Sequence, residues 1–261
     1  MIMFSQENRC IYRNNQLAEV ICQFRFPEIL TIQANLPAVF QEAIRNEFPR
    51  FSSRKETPAP KLSGVPGNMS LQKQDPINNY QFFSGDGNWR INLTSRFISL
   101  SCSKYTSWEE FAGKLDKPLA AFIQTYHPAF FERVGLRYLN FFSRQELGLE
   151  GTPYREMFAP CYLGPLMEDD VPEANTTRCS VDTEMSIRGG CRVKIHAGPG
   201  LVKRQGQPDN EVKFVFDQDL YTVGQLEIKL AVGALQTLHS QADSIFRGAI
   251  TPLTHDAMDP R

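Results

Sequence analysis

FFERVGLRYLNFF, residues 130–142, is the densest run of aromatic and β-favouring side chains in the chain, and it reads as a central strand on which the rest packs. Strand side chains alternate between faces, so Arg133, Gly135 and Arg137 share one side while Val134, Leu136, Tyr138 and Phe142 share the other. The even face is apolar and belongs to a core. The odd face carries two guanidiniums flanking a residue without a side chain, so Gly135 is expected to open space between them.

Composition sets the frame around that strand. A chain of 261 residues with 41% hydrophobic content has enough apolar material for a sizeable core. Its formal charge of −1 supplies no global pull toward nucleic acid or an anionic membrane, so such a contact would need a local patch. Nowhere do about 18 apolar residues follow one another, as a membrane-crossing helix requires. The opening MIMFSQENRC has polar residues where a secretory leader carries its apolar stretch. These features point to a soluble cytoplasmic protein. Six cysteines are scattered with no C-x-x-C pair, which argues against a zinc site and against a redox motif.

Outward from the central strand, Ala18, Val20, Cys22, Phe24 and Phe26 alternate with Glu19, Ile21, Gln23 and Arg25 as a first strand that Pro27 stops. Asn35 is expected to cap a helix with Pro37 in its first turn and an apolar stripe of Leu36, Phe40, Ala43, Ile44 and Phe48. Residues 51–79 are rich in Pro, Gly, Ser and Lys and read as a long irregular segment. Short strands at 80–83, 89–93 and 97–102 form a meander. Ser107 and Glu110 make a capping box for a helix that ends at His127-Pro128. A second irregular segment, 143–176, is apolar enough to pack on the body or on a partner.

The hairpin at 179–196 is decided by register. A three-residue turn, Arg188-Gly189-Gly190, sets Ile187 against Cys191, Met185 against Val193 and Thr183 against Ile195, keeping the apolar sets together. Its outer face then pairs Glu184 with Lys194 and Asp182 with His196, which neutralises what first looks like a basic stripe. A strand through Val212, Phe214 and Phe216 ends at Asp217-Gln218-Asp219. Thr222 and Gln225 cap a final helix with a narrow seam of Ile228, Ala231, Leu235, Leu238, Ala242, Ile245 and Ala249, suited to a sheet, a helix or a dimer mate. The tail THDAMDPR is expected to fray. The fold class is α+β: a mainly antiparallel sheet of about seven to eight strands with three main helices. It forms a single domain, 1–261, whose element order suggests two fused halves, 1–128 and 129–261.

Three constellations carry chemistry. Arg133 and Arg137, roughly 13 Å apart along the strand, with Arg25 on the neighbouring polar face, have the form of an oxyanion or phosphate clamp; the alternative is pairing with helix carboxylates such as Glu109, Glu110 or Asp116. Asp217 and Asp219 have the chemistry of hard-cation ligands, although Asp-x-Asp is also ordinary turn chemistry and no third ligand accompanies it. His239 with Asp243 one turn on forms a helix-surface pair without an evident nucleophile. No catalytic residue, metal site or cofactor emerges.

RVGLRYLN at 133–140, FVFDQDLY at 214–221, LHSQADSIFRGAIT at 238–251 and the opening AEVICQFRFP together resemble a sporadically distributed family of uncharacterised bacterial proteins of about this length. The patchy distribution of that family is similar to that of accessory genes in antiphage or CRISPR-associated loci, and no catalytic residues carry over from it. The resulting expectation is a non-enzymatic cytoplasmic adaptor or regulatory protein that binds a protein partner, with homodimerisation through the last helix as one form. The alternative is a nucleotide- or RNA-binding module using Arg133, Arg137 and Arg25. A metal-dependent hydrolase at Asp217 and Asp219 ranks third.

Overall fold

The computed structural model describes residues 3–57, 61–65, 68–202 and 210–261. In chain order the elements are β1 (Leu17–Arg25), α1 (Leu30–Ala34), α2 (Ala38–Ile44), β2 (Arg50–Glu56), β3 (Lys61–Val65), β4 (Asn68–Gln72), β5 (Ile77–Phe83), β6 (Trp89–Leu93), β7 (Phe97–Cys102) and α3 (Trp108–Tyr126). There follow β8 (Arg133–Phe142), α4 (Arg144–Leu147), α5 (Tyr154–Met157), β9 (Val181–Ile187), β10 (Cys191–Leu201), β11 (Val212–Thr222), α6 (Ala231–Ala249) and α7 (Pro252–Ala257). Nine strands form one antiparallel sheet in the order β2-β5-β6-β7-β1-β8-β11-β10-β9, and β3 and β4 form a separate hairpin. The architecture is therefore α+β as expected, with nine strands in the main sheet instead of seven to eight.

The stretch 130–142 does occupy the middle of this sheet. β1 and β8 pair antiparallel at the midline, with Val20 opposite Tyr138, Cys22 opposite Leu136 and Phe24 opposite Val134. From that line outward each side lays its strands in the same sequence: the last strand of the half lies beside the first, and the meander runs back toward the edge.

One sheet face is buried by helices. Ser107 caps α3 by accepting from the Glu110 backbone N–H, as the capping box predicts, and α3 then buries Phe111, Leu115, Leu119 and Phe122. Phe122 meets Phe26, just past the end of β1, with ring centres 4.7 Å apart, and Phe111 meets Trp89 from β6 at 5.7 Å. Each fully buried Phe stabilises the fold by about 1.5–3 kcal/mol relative to exposure. α6 lies over β8 and β11, and Leu235, Leu238, Ala242, Ile245 and Ala249 are buried there. The narrow seam thus finds its partner in the chain's own sheet. Residues 143–176 pack on the body: Phe158 stacks on Phe214 at 3.9 Å, and Tyr162 meets Phe216 edge-on at 5.1 Å.

Five expectations are corrected. Residues 51–79 are not one irregular segment: 61–65 and 68–72 form the β3–β4 hairpin, β5 begins at Ile77, and 50–56 form the edge strand β2, paired with β5 from Arg50–Phe83 to Glu56–Ile77. The strand was invisible to periodicity because its side chains are almost all exposed, so its stability comes from the backbone ladder; its charges guard the edge against further pairing. The helix expected from Asn35 is two helices: Asn35 closes α1, Pro37 precedes α2, and Leu36, outside both, is 71% exposed. The Asp217-Gln218-Asp219 segment does not end its strand, because β11 continues to Thr222. Thr222 consequently caps no helix; its hydroxyl accepts from the Val134 N–H instead, and α6 begins at Ala231. The tail does not fray. Thr251 caps α7, Thr254 and Met258 are buried, and Tyr12 bridges to Pro260.

The hairpin register is the expected one. Ile187 faces Cys191, Met185 faces Val193, Thr183 faces Ile195, and Gly189 and Gly190 turn the chain at positive φ.

Candidate functional site

The face of the sheet turned away from α3 and α6 carries the arginines. Odd residues of β8 project there, and in register beside them stand Asp217, Asp219 and Tyr221 of β11, then Arg192, Lys194 and His196 of β10, then Asp182 and Glu184 of β9. The pairing is diagonal. Arg133 donates from Nη2 to both oxygens of Asp219, each at 2.7 Å, and from Nη1 to Gln23 Oε1 at 3.5 Å, with its guanidinium 4.6 Å from the Tyr221 ring centre. Arg137 grips Asp217 in a fork, Nε–Oδ1 2.7 Å and Nη2–Oδ2 2.5 Å. That hydrogen-bonded carboxylate raises the Arg137 pKa further above its ordinary value.

Farther out, Asp182 holds His196 at 2.7 Å and Lys194 lies 3.6 Å from Glu184. The Tyr221 hydroxyl donates to Glu184, which holds that carboxyl below its usual range.

The predicted clamp therefore has a different form from the one expected. The partners of Arg133 and Arg137 are strand carboxylates, since Glu109, Glu110 and Asp116 belong to α3 on the opposite face. Gly135 opens no ligand space either. The Arg133 side chain folds over it, and a Cβ at 135 would run into that guanidinium. Arg25 lies directly across from Arg133, and among the described residues no carboxylate pairs with it. Asp217 and Asp219 are each occupied by an arginine. Among the described residues no group of three His, Cys, Asp or Glu side chains is placed to hold a metal ion.

His239 is displaced from its expected role as well. It is buried, 6% exposed, with Nδ1 at 2.8 Å from the Tyr138 hydroxyl instead of bonding Asp243, and its ring stacks on Trp108 at 4.2 Å. Burial depresses its pKa to about 4, so it is neutral near pH 7. It sits above a polar spot on the helix side of the sheet formed by Tyr138, Asn140 and Gln218. Sequence reasoning missed that spot. Its one available signal was Gln218, a polar residue at an inward position between Phe216 and Leu220.

No family model matches the chain, and no curated protein matches it.

Proposed function

We propose that this protein is a non-enzymatic adaptor or regulatory protein that binds a protein partner through the charged half of its open sheet face. The observation that carries the reading is the balance of charge there. Arg133, Arg137, Arg192 and Lys194 stand among Asp182, Glu184, Asp217 and Asp219, four full cations against four carboxylates. A polyanion needs surplus positive charge to displace its counterions, and this lattice, with only Arg25 beside it left unpaired among the described residues, offers little. A protein surface with the complementary alternation gains specificity and encounter rate from it. Because strands hold the array, little side-chain order is lost on docking.

The accessory role rests on the resemblance to a patchily distributed bacterial family: it directs the search to products of neighbouring genes in antiphage or CRISPR-associated loci. The nucleotide or RNA alternative keeps only Arg25 of its three arginines unpaired among the described residues. The hydrolase alternative needs Asp217 and Asp219 stripped of their arginines.

Pull-down of the tagged chain against the products of neighbouring genes is expected to retain one stable partner. Arg192→Gln combined with Lys194→Gln is expected to slow association by about tenfold or more while the unfolding midpoint falls only slightly, the two contacts to Glu184 being exposed. Filter binding with labelled RNA and cyclic nucleotides at two salt concentrations is expected to show no tight retention. Tight, salt-sensitive RNA binding, or no partner among those products, would overturn the reading.

A further inference from the structure

A cavity of about 80 Å³ lies on the helix side of the sheet, between the N-terminal segment, the loop before α3 and α6. It has room for about five waters or a compact organic group. Two aromatic pairs wall it. Tyr105 stands perpendicular to Tyr138, at 89° and 6.1 Å between ring centres, and Tyr12 meets Phe246 at 63° and 6.0 Å. Rings set at such angles present both edges and faces to whatever lies between them, and ring faces attract cations.

The polar groups left over in this cavity are acceptors. Gln218 is 2% exposed, and its Oε1 has no hydrogen-bond partner, in a position where a buried carbonyl without a donor is destabilising by about 1–3 kcal/mol. Asp243, on the α6 wall, receives no hydrogen bond or ion pair from the described residues, and burial pushes its pKa above the usual carboxylate value. The nearest cations, Arg9 on the cavity wall and Arg247, act on Asp243 only through space, since Arg9 makes a fork to Glu109 at 2.7 and 3.2 Å and Arg247 is paired with Glu7. Two of the tyrosine donors that line the cavity are already used. The Tyr12 hydroxyl is bonded to His255 at 2.8 Å, and Tyr138 is tied to His239. The unmet need is thus for a donor that also tolerates aromatic walls and a carboxylate.

We infer that this cavity is a binding site for a small organic cation, an ammonium or amidinium group on a compact apolar body, held by Asp243 and Gln218 Oε1 between the tyrosine rings. The inference is independent of the sheet-face reading, since the two sites lie on opposite faces of the sheet.

Calorimetric titration of the full chain with propylammonium and acetamidinium chloride, and with neutral 1-propanol, tests it. At least one of the two cations is expected to bind saturably with Kd of about 1 mM or tighter, and the alcohol about tenfold more weakly or not at all. Asp243→Asn is expected to weaken the cation by about tenfold, and Gln218→Leu by about threefold or more, with the alcohol's affinity little changed by Asp243→Asn. Tyr12→Ala, at the outer wall, provides a second reading should either inner variant fail to fold, and is also expected to weaken the cation by about threefold or more. Absence of saturable binding by either cation, equal affinity for alcohol and cation, or cation affinity unmoved in the folded variants would each overturn the assignment.

Discussion

On either side of the midline between β1 and β8 the sheet lays out its strands alike, and the two sides handle polar residues in opposite ways. On the first side the middle of the open face is a ladder of short neutral groups, Gln81 donating to Asn92 at 2.9 Å and Asn92 to Ser99 at 3.3 Å, with the Arg90–Glu19 and Arg54–Glu56 ion pairs flanking it. On the second it is a lattice of long charged ones. The contrast continues beneath the sheet. α3 lies on a layer of Phe24, Phe26, Ile91 and Leu100, whereas α6 covers Tyr138, Asn140 and Gln218 and brings a histidine with it. One wiring therefore supports two chemistries. Strand order decides where a side chain stands, and the length and charge of that side chain decide whether it bonds its lateral neighbour or reaches diagonally to the next strand.

The dry layer is where truncation should do most damage. Phe122→Ala on α3 is expected to lose about 3–5 kcal/mol in urea unfolding, while Gln218→Leu under α6 should lie within about 1 kcal/mol of the parent or above it, because it removes an orphan acceptor. Comparable losses at both positions would mean that the second side is packed as dry as the first.

A smaller effect separates the two sides by pH. Folded His239 takes a proton only near pH 4, whereas the unfolded chain takes it near 6.5, so acidification favours unfolding across that window. The contribution is fully present above about pH 6.5 and is lost as pH falls toward 4, a change on the order of 2–3 kcal/mol after allowance for solvent access. Unfolding measured at pH 7.5, 6 and 5 should show a flatter profile in His239→Phe than in the parent. Parallel profiles would show that the histidine is not isolated from water.

The least effect is expected on the open face. Asp219→Ala should destabilise by about 1–2 kcal/mol at low salt and by less at high salt, since Arg133 and Asp219 are only partly buried. Gln81→Ala across the midline should cost about 1 kcal/mol at any salt concentration. Salt-independent loss at Asp219 would break the distinction between a neutral ladder and an ionic lattice.

Much of this was readable in advance where a residue's surroundings are set by its neighbours in sequence or across one turn. The central strand, the Ser107 cap and the 179–196 register, with the Asp182–His196 and Glu184–Lys194 contacts, are of that kind. The edge strand β2 escaped because exposed side chains on both faces leave no period to detect. The true partners of the arginines escaped for another reason. Nothing in residues 130–142 says that β11 lies alongside, so Asp217 and Asp219 read as a strand end and a metal candidate when they are counter-ions.

By itself, the sequence determined the α+β class, the greasy face of Val134, Leu136, Tyr138 and Phe142, and the caps and turns, because alternation and local hydrogen bonding are short-range. Only the tertiary structure decided which strand neighbours which. With that it decided that Arg133 and Arg137 are neutralised, that His239 faces the sheet, and that Gln218 Oε1 and Asp243 border one cavity while bonding to none of its donors. Those outcomes depend on side chains from different elements meeting across a sheet or beneath a helix, 80 positions apart for Arg137 and Asp217 and 101 for Tyr138 and His239, and no local pattern records such a meeting.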